Sequence, residues 1–187
     1  MQDLYIQDET FDRNQTLTKG EYENCIFNGC NLADKNLSEF KFTDCSFNSC
    51  NLSLAKLNNT SFCNVKFKDC KMLGLQFDTC NAFGFSVSFE DCQLNYASFF
   101  KTKIKKTIFK NSQLQETDFV EADLTSAVFD NCNLMQAVFD STILEKADFR
   151  TAYNYSINPE TNRIKKARFS IEGIPGLLHT YDIDIEK

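Results

Sequence analysis

The sequence predicts an all-β solenoid: a four-sided tube wound from five-residue units. Three observations predict it. From Ala127 to Phe149 every fifth residue is large and apolar: Phe129, Leu134, Phe139, Leu144 and Phe149. Two positions before each stands a small residue: Ala127, Cys132, Ala137, Thr142 and Ala147. Like residues also recur at twenty, as in Tyr22, Phe42 and Phe62, or Phe27, Phe47 and Phe67. A period of five matches neither a helix (3.6) nor a simple strand (2). It suits a chain that turns a corner every five residues, so that a period of twenty gives four sides per coil. Coils stacked about 4.8 Å apart then align identical side chains inside the tube.

The elements follow in order. Residues 1–21 precede the clean repeat, and Leu4, Tyr5, Ile6 and Phe11 are expected to cap the open end, which a stacked protein must cover. From Tyr22 to Phe77 every fifth residue is apolar. Between Phe77 and Phe89 the spacing is twelve, not ten, which predicts a bulge at 81–88 with Gly84 easing the backbone. Phe83, Phe85 or Val87 fills in for the regular core there. From Phe89 to Phe149 Phe alternates with Leu or Ile, which places Phe on two opposite sides and the aliphatics on the other two. Residues 150–168, with Pro159 and several Asn, predict a surface loop that rejoins the stack at Phe169, twenty after Phe149. The solenoid thus spans 1–170. Residues 171–187 predict a C-terminal cap with a short helix around Leu177 and Leu178 and a strand-like end containing Ile183 and Ile185. With Tyr181, these apolar residues are the candidate contacts of a homodimer.

The 187 residues include 19 Phe, no Trp, one His and nine Cys. All the cysteines except Cys63 stand at the small position of the repeat, in exchange with Ala, Thr, Ser and Val. That predicts small buried hydrophobes, not disulfides or metal ligands. Nine free thiols point to a reducing, cytoplasmic setting. Neither a signal segment nor a run of about 20 apolar residues is present in this sequence.

Nothing here reads as an active site. His179 is the only histidine and falls in the C-terminal segment; no phosphate-binding glycine motif occurs. The expectation is a protein that is not an enzyme and needs no cofactor. Charge is more informative. Residues 111–150 hold eight acids and two bases, a net of −6 that equals that of the whole chain. Residues 101–110 hold five Lys and no acid. The acidic half supplies candidate partner contacts: Asp118, Glu121, Asp123, Asp130 and Asp140. Two readings stand: phosphate-like charge presented to a DNA-binding protein, or a solvated exterior. The negative balance argues against direct nucleic-acid binding.

The unit of small, polar, Leu or Phe, and two polar residues resembles the pentapeptide-repeat family: Cys30-Asn31-Leu32, Cys50-Asn51-Leu52, Ala122-Asp123-Leu124 and Ala147-Asp148-Phe149. The resemblance covers about residues 20–150 and implies a right-handed quadrilateral β-helix. The cysteine-rich first half with CNLSLAKL and CKMLGLQF, and the ending LLHTY then DIDIE, are similar to the Qnr-type quinolone-resistance subgroup. That likeness implies a C-terminal dimer and binding to DNA gyrase or topoisomerase IV by imitating duplex DNA. The alternative is a structural or adaptor scaffold with an unrelated protein partner.

Overall fold

A computed structural model describes residues 4–13, 15–181 and 183–186. The remaining positions of the two expected terminal caps lie outside the described residues. The chain winds into a parallel β-solenoid with four sides. The first side is a sheet of Leu4–Gln7, Gly20–Glu23, Lys41–Thr43 and Ser61–Cys63. The second is a seven-stranded sheet of Thr10–Asp12, Ile26–Asn28, Ser46–Asn48, Val65–Lys68, Val87–Glu90, Ile108–Lys110 and Val128–Asp130. The third and fourth sides are ladders of single parallel bridges, such as Asn31 to Asn51 to Lys71 and Ser98 to Asp118 to Val138.

The five-residue unit has a direct structural meaning. The large residue and the small one before it point inward; the residue two past the large one takes a left-handed φ and turns the corner. Asp34, Asn59, Asn111 and Glu121 are such corners, with φ of 57°, 57°, 50° and 56°. Asn and Asp tolerate this region best, which accounts for their abundance in the repeat.

The small position is also a clamp. Its side chain reaches the carbonyl of a large residue one coil earlier. Thr60 Oγ1 donates to the Leu37 carbonyl at 2.7 Å, Thr142 Oγ1 to Phe119 at 2.9 Å, and Cys50 and Cys70 Sγ to Phe27 and Phe47 at 3.3 Å. This is why thiols and hydroxyls interchange here. The eight cysteines at this position include seven that are buried and one, Cys80, that is half-buried; all nine cysteines are free.

Stacked rings fill the interior. The second side carries a Phe column from Phe11 to Phe169; Phe89, Phe109 and Phe129 stack with centroids 5.2 and 5.0 Å apart. In the first coils it meets the first side's Tyr22, Phe42 and Phe62 edge-on. From Phe77 onward the aromatic partner moves to the fourth side. Phe99 and Phe119 meet Phe109 edge-on at 5.9 and 6.0 Å across the tube, while Ile104, Leu124 and Leu144 line the first side. Each buried side chain of this size contributes about 1.5–3 kcal/mol.

Three stretches depart from the expected pattern. Residues 4–12 continue the stack: Ile6 pairs with Tyr22 and Phe11 with Phe27, each sixteen residues on. The first coil is four residues short, and the deficit falls between Asp12 and Gly20. Residues 150–168 are a coil, not an excursion. Tyr153 bridges Asn133, Arg163 bridges Ile143 and Arg168 bridges Asp148, all in register at twenty. The third and fourth sides are irregular: Asn154, at the third side's large position, is exposed with a left-handed φ of 59°, and Pro159 stands on the fourth. Ala152, Tyr155 and Ile157 are buried in this stretch, and Asn162, on the first side, clamps the Phe139 carbonyl at 3.0 Å. At the C-terminal end, the helix Pro175–Leu178 closes the tube: Ile157 N donates to the Gly176 carbonyl at 2.9 Å, and Leu177 joins the core. Gly173 and Gly176 are needed for this fit, because an added Cβ would meet Tyr155 Oη at 1.9 Å or the Tyr155 carbonyl at 2.3 Å. Residues 183–186 form no strand, contrary to the strand-like end expected from the sequence.

Candidate partner-binding surfaces

The five candidate acids fall on three sides. Asp118 and Asp140 stand on the fourth side, with Glu121 at the corner that ends it. These three belong to adjacent rungs: Asp118 bridges Val138, and Glu121 N donates to the Asp140 carbonyl at 2.9 Å. Asp123 lies beyond the corner on the first side and Asp130 on the second, where it accepts from Thr151 Oγ1 at 2.9 Å. The geometry therefore assembles Asp118, Glu121 and Asp140 and separates the other two.

Two of the acids have structural work of their own. Asp118 Oδ1 accepts the Val120 N–H at 2.8 Å, and Asp123 Oδ1 accepts the Thr125 N–H at 3.2 Å. Asn31, Asn51 and Asn133 do the same at equivalent positions. Asp123 also takes the Thr125 hydroxyl at 2.6 Å and pairs with Lys105 at 3.0 Å. Partial burial pushes its carboxyl up, but the bonds from Thr125 and Lys105 outweigh that and hold it below the usual range.

The acidic region is not open-ended. Residues 150–168 carry Arg150, Arg163, Lys165, Lys166 and Arg168 against Glu160 alone. The C-terminal half is thus an acidic girdle between two basic belts, which corrects the expectation of an acidic half. Stacking pairs the belts with the girdle. Lys101 reaches Glu121 at 3.4 Å, Arg163 reaches Glu145 at 2.8 Å, and Asp148 takes Arg150 at 2.7 Å and Arg168 at 3.8 Å. Such exposed pairs each contribute ~0–1 kcal/mol, so they shape the surface field more than the stability.

The C-terminal candidates also divide. Leu177 is buried against the core and Leu178 is half-buried. Tyr181 is exposed and donates its hydroxyl to Glu160 at 2.9 Å. Ile183 and Ile185 are exposed, which leaves them free for a partner. His179, beside them, is exposed and unconnected with any acid or nucleophile cluster among the described residues. No described helix is long and apolar enough to cross a membrane.

A coil of four five-residue sides with inward small and large positions defines a pentapeptide-repeat solenoid. The chain belongs to the pentapeptide-repeat family: the family's repeat region matches residues 21–99 and 85–158. No curated protein matches it. Among solved structures it is similar to a trypsin-treated variant of QnrB1, a plasmid-mediated fluoroquinolone resistance protein, with 17% identity, 99% of this chain and 100% of that one covered, and a TM-score of 0.58. Full-length QnrB1 follows at 19% identity, coverage of 97% and 98%, and a TM-score of 0.47. HetL, a pentapeptide repeat protein involved in heterocyst differentiation regulation in the cyanobacterium Nostoc sp. strain PCC 7120, has 10% identity, coverage of 81% and 89%, and a TM-score of 0.33. At 17% identity the likeness to the trypsin-treated QnrB1 variant concerns the fold alone.

Proposed function

We propose that this protein is a non-enzymatic, cytoplasmic binding rod whose target is a type II topoisomerase, DNA gyrase or topoisomerase IV, engaged by its acidic girdle in place of DNA. The observation that carries the reading is the grouping of Asp118 and Asp140 on the fourth side with Glu121 at the corner that ends it, on adjacent rungs of the stack. Fixed carboxylates on neighbouring rungs offer a DNA-binding protein a preordered negative edge, which speeds encounter and sets register. The fold shared with QnrB1 supports this reading by analogy only. Asp123 and Asp130 extend the negative field around the next two corners. The exposed Tyr181, Ile183 and Ile185, continuing from Leu177 and Leu178, are proposed to join two copies.

The test is direct binding of the triple variant D118N/E121Q/D140N to gyrase and topoisomerase IV. Asn keeps the corner bond at position 118, as Asn31 and Asn51 do, so thermal stability stays unchanged while binding is lost. Unchanged affinity would remove the acidic row from the account. A second reading, an adaptor for an unrelated protein, is favoured by the pairing of Glu121, Asp123, Glu145 and Asp148 with bases on neighbouring coils, which leaves fewer unspent charges.

A further inference from the structure

The two-residue insertion does more than bend the chain. The ladder offset rises from twenty in the coils on either side to twenty-two across the insertion, at Val65–Val87, Lys71–Gln93 and Gln76–Ser98. The extra length forms a short loop, 81–86, pinned at both ends: Asn81 N donates to the Thr60 carbonyl and Ser86 N to the Phe62 carbonyl, each at 2.9 Å. Within it Asn81 Oδ1 accepts the Phe83 N–H at 3.0 Å, and Gly84 turns with a φ of +68°. The loop is therefore fixed at its base, and it holds the Phe83 side chain 92% exposed. Its neighbours do otherwise: Val87 is buried, and Phe85 packs against Phe62 and Phe77.

Beside the loop lies a cavity of about 250 Å3, lined among others by Phe77, Phe85, Phe100, Lys101 and Lys103, with Asp78 also in its wall. That volume is below the ~300–1,000 Å3 of small-molecule sites and suits a single large side chain. Lys101 Nζ lies 4.7 Å over the Phe100 ring. Lys103 has no ion pair among the described residues. Its backbone N–H is also free among them. The equivalent N–H bonds the preceding coil elsewhere, as Asp123 does to Thr102 at 2.8 Å and Arg163 to Thr142 at 3.0 Å. The bulge withdraws the matching acceptor from Lys103. Lys105 and Lys106 continue the basic belt along the same side.

The geometry points to a docking site for an acidic segment of a partner protein, in which a Phe- or Ile-sized side chain flanked by carboxylates enters the cavity. Phe83 closes over that side chain, and the Lys103 N–H and ammonium receive the carboxylate. Charge complementarity selects this occupant: an apolar floor with a basic rim rejects a basic segment and gives little to a neutral one. The site touches the acidic row at one point, the Lys101–Glu121 pair at 3.4 Å, but Phe83 and Lys103 belong to neither that pair nor the row, so the site is tested independently of topoisomerase binding.

The test is fluorescence anisotropy with a labelled, capped peptide DFDIE, against KFKIK and DADAE, on the full chain. Saturable binding of DFDIE is expected, with KFKIK and DADAE each at least about tenfold weaker. F83S and K103E should each weaken DFDIE about tenfold or more, as anchor residues do. Both side chains are exposed, so unchanged circular dichroism and melting will show intact folding. Lack of saturation at millimolar peptide, equal binding of KFKIK, or indifference to both substitutions would overturn the proposal. Phe83-dependent co-sedimentation with phosphatidylserine vesicles, without DFDIE binding, would also overturn it and assign the loop to a membrane surface.

Discussion

Truncation of Phe109 to Ala is the sharpest test of how the stack holds together. Phe109 is fully buried. It stacks on Phe89 and Phe129 at 5.2 and 5.0 Å and meets Phe99 and Phe119 edge-on at 5.9 and 6.0 Å. Removing the ring loses ~1.5–3 kcal/mol of transfer free energy. A residual cavity of ~60–100 Å3 adds ~1.5–2.4 kcal/mol at ~24 cal/mol per Å3. The stack above and below holds the gap open, so little collapse relieves it, and the sum falls at ~3–5 kcal/mol. Phe169→Ala is the matched control. Phe169 is half-buried at the end of the column, with Phe149 stacked at 5.4 Å and Tyr155 tilted beside it, and should lose ~1–2 kcal/mol. In a nearest-neighbour stack the central loss also divides the cooperative unit, so the unfolding transition of F109A should broaden. Urea titration followed by circular dichroism measures both. A loss below about 1 kcal/mol for F109A, or equal losses at centre and end, would refute the reasoning.

Further predictions concern single groups. Tyr155 Oη is buried without a hydrogen-bond partner among the described residues, so Tyr155→Phe should stabilise by ~1 kcal/mol, read as a raised melting temperature. Burial pushes the Cys45 thiol up to about 11 and the Cys132 thiol up to about 12, so native protein at pH 8 should give rapid disulfide-reagent labelling at half-exposed Cys63 before the buried thiols, which react at the rate of opening. Asp148 is held below the usual carboxylate range by the Arg150 side chain against a partial burial penalty. Its folded value is depressed, so its contribution is full above the unfolded value near ~4 and is lost as pH falls through the folded one. The wild-type melting temperature should drop across that acidic window more than that of D148N. If Tyr181, Ile183 and Ile185 join two copies, light scattering should give twice the chain mass for wild type and the single mass for I183S/I185S; a monomeric wild type would exclude the dimer.

The repeat was legible because its core is periodic. Phe109 could be assigned to an opposite-side Phe column from spacing alone, since each inward residue meets its own kind twenty positions away. Ile6 and Phe11 escaped because a coil shortened to sixteen shifts the frame. Residues 150–168 read as a loop because Pro159 and the Asn residues break the local pattern, while the long-range register from Phe149 to Phe169 was kept. The acids were the least legible. Asp118 and Asp123 share the position of Asn31 and Asn51, where the side-chain oxygen holds the corner, so an outward carboxylate there is partly backbone chemistry. A cue existed in the Asn–Asp exchange at that position. The basic belt of the last coil was also visible in the sequence, but only winding shows that it abuts the acidic girdle. The cavity lined by Ala82 and Phe85 of the bulge depends on which of its residues turn inward, a matter of local packing.

The measurement that tests the central claim most directly is supercoiling by DNA gyrase across a fluoroquinolone titration, with wild-type protein and with D118N/E121Q/D140N. The account predicts that wild type changes the curve, either restoring supercoiling at inhibitory drug or inhibiting turnover without drug, and that the triple variant does neither. Curves for gyrase and topoisomerase IV that are identical with and without saturating wild-type protein would contradict it.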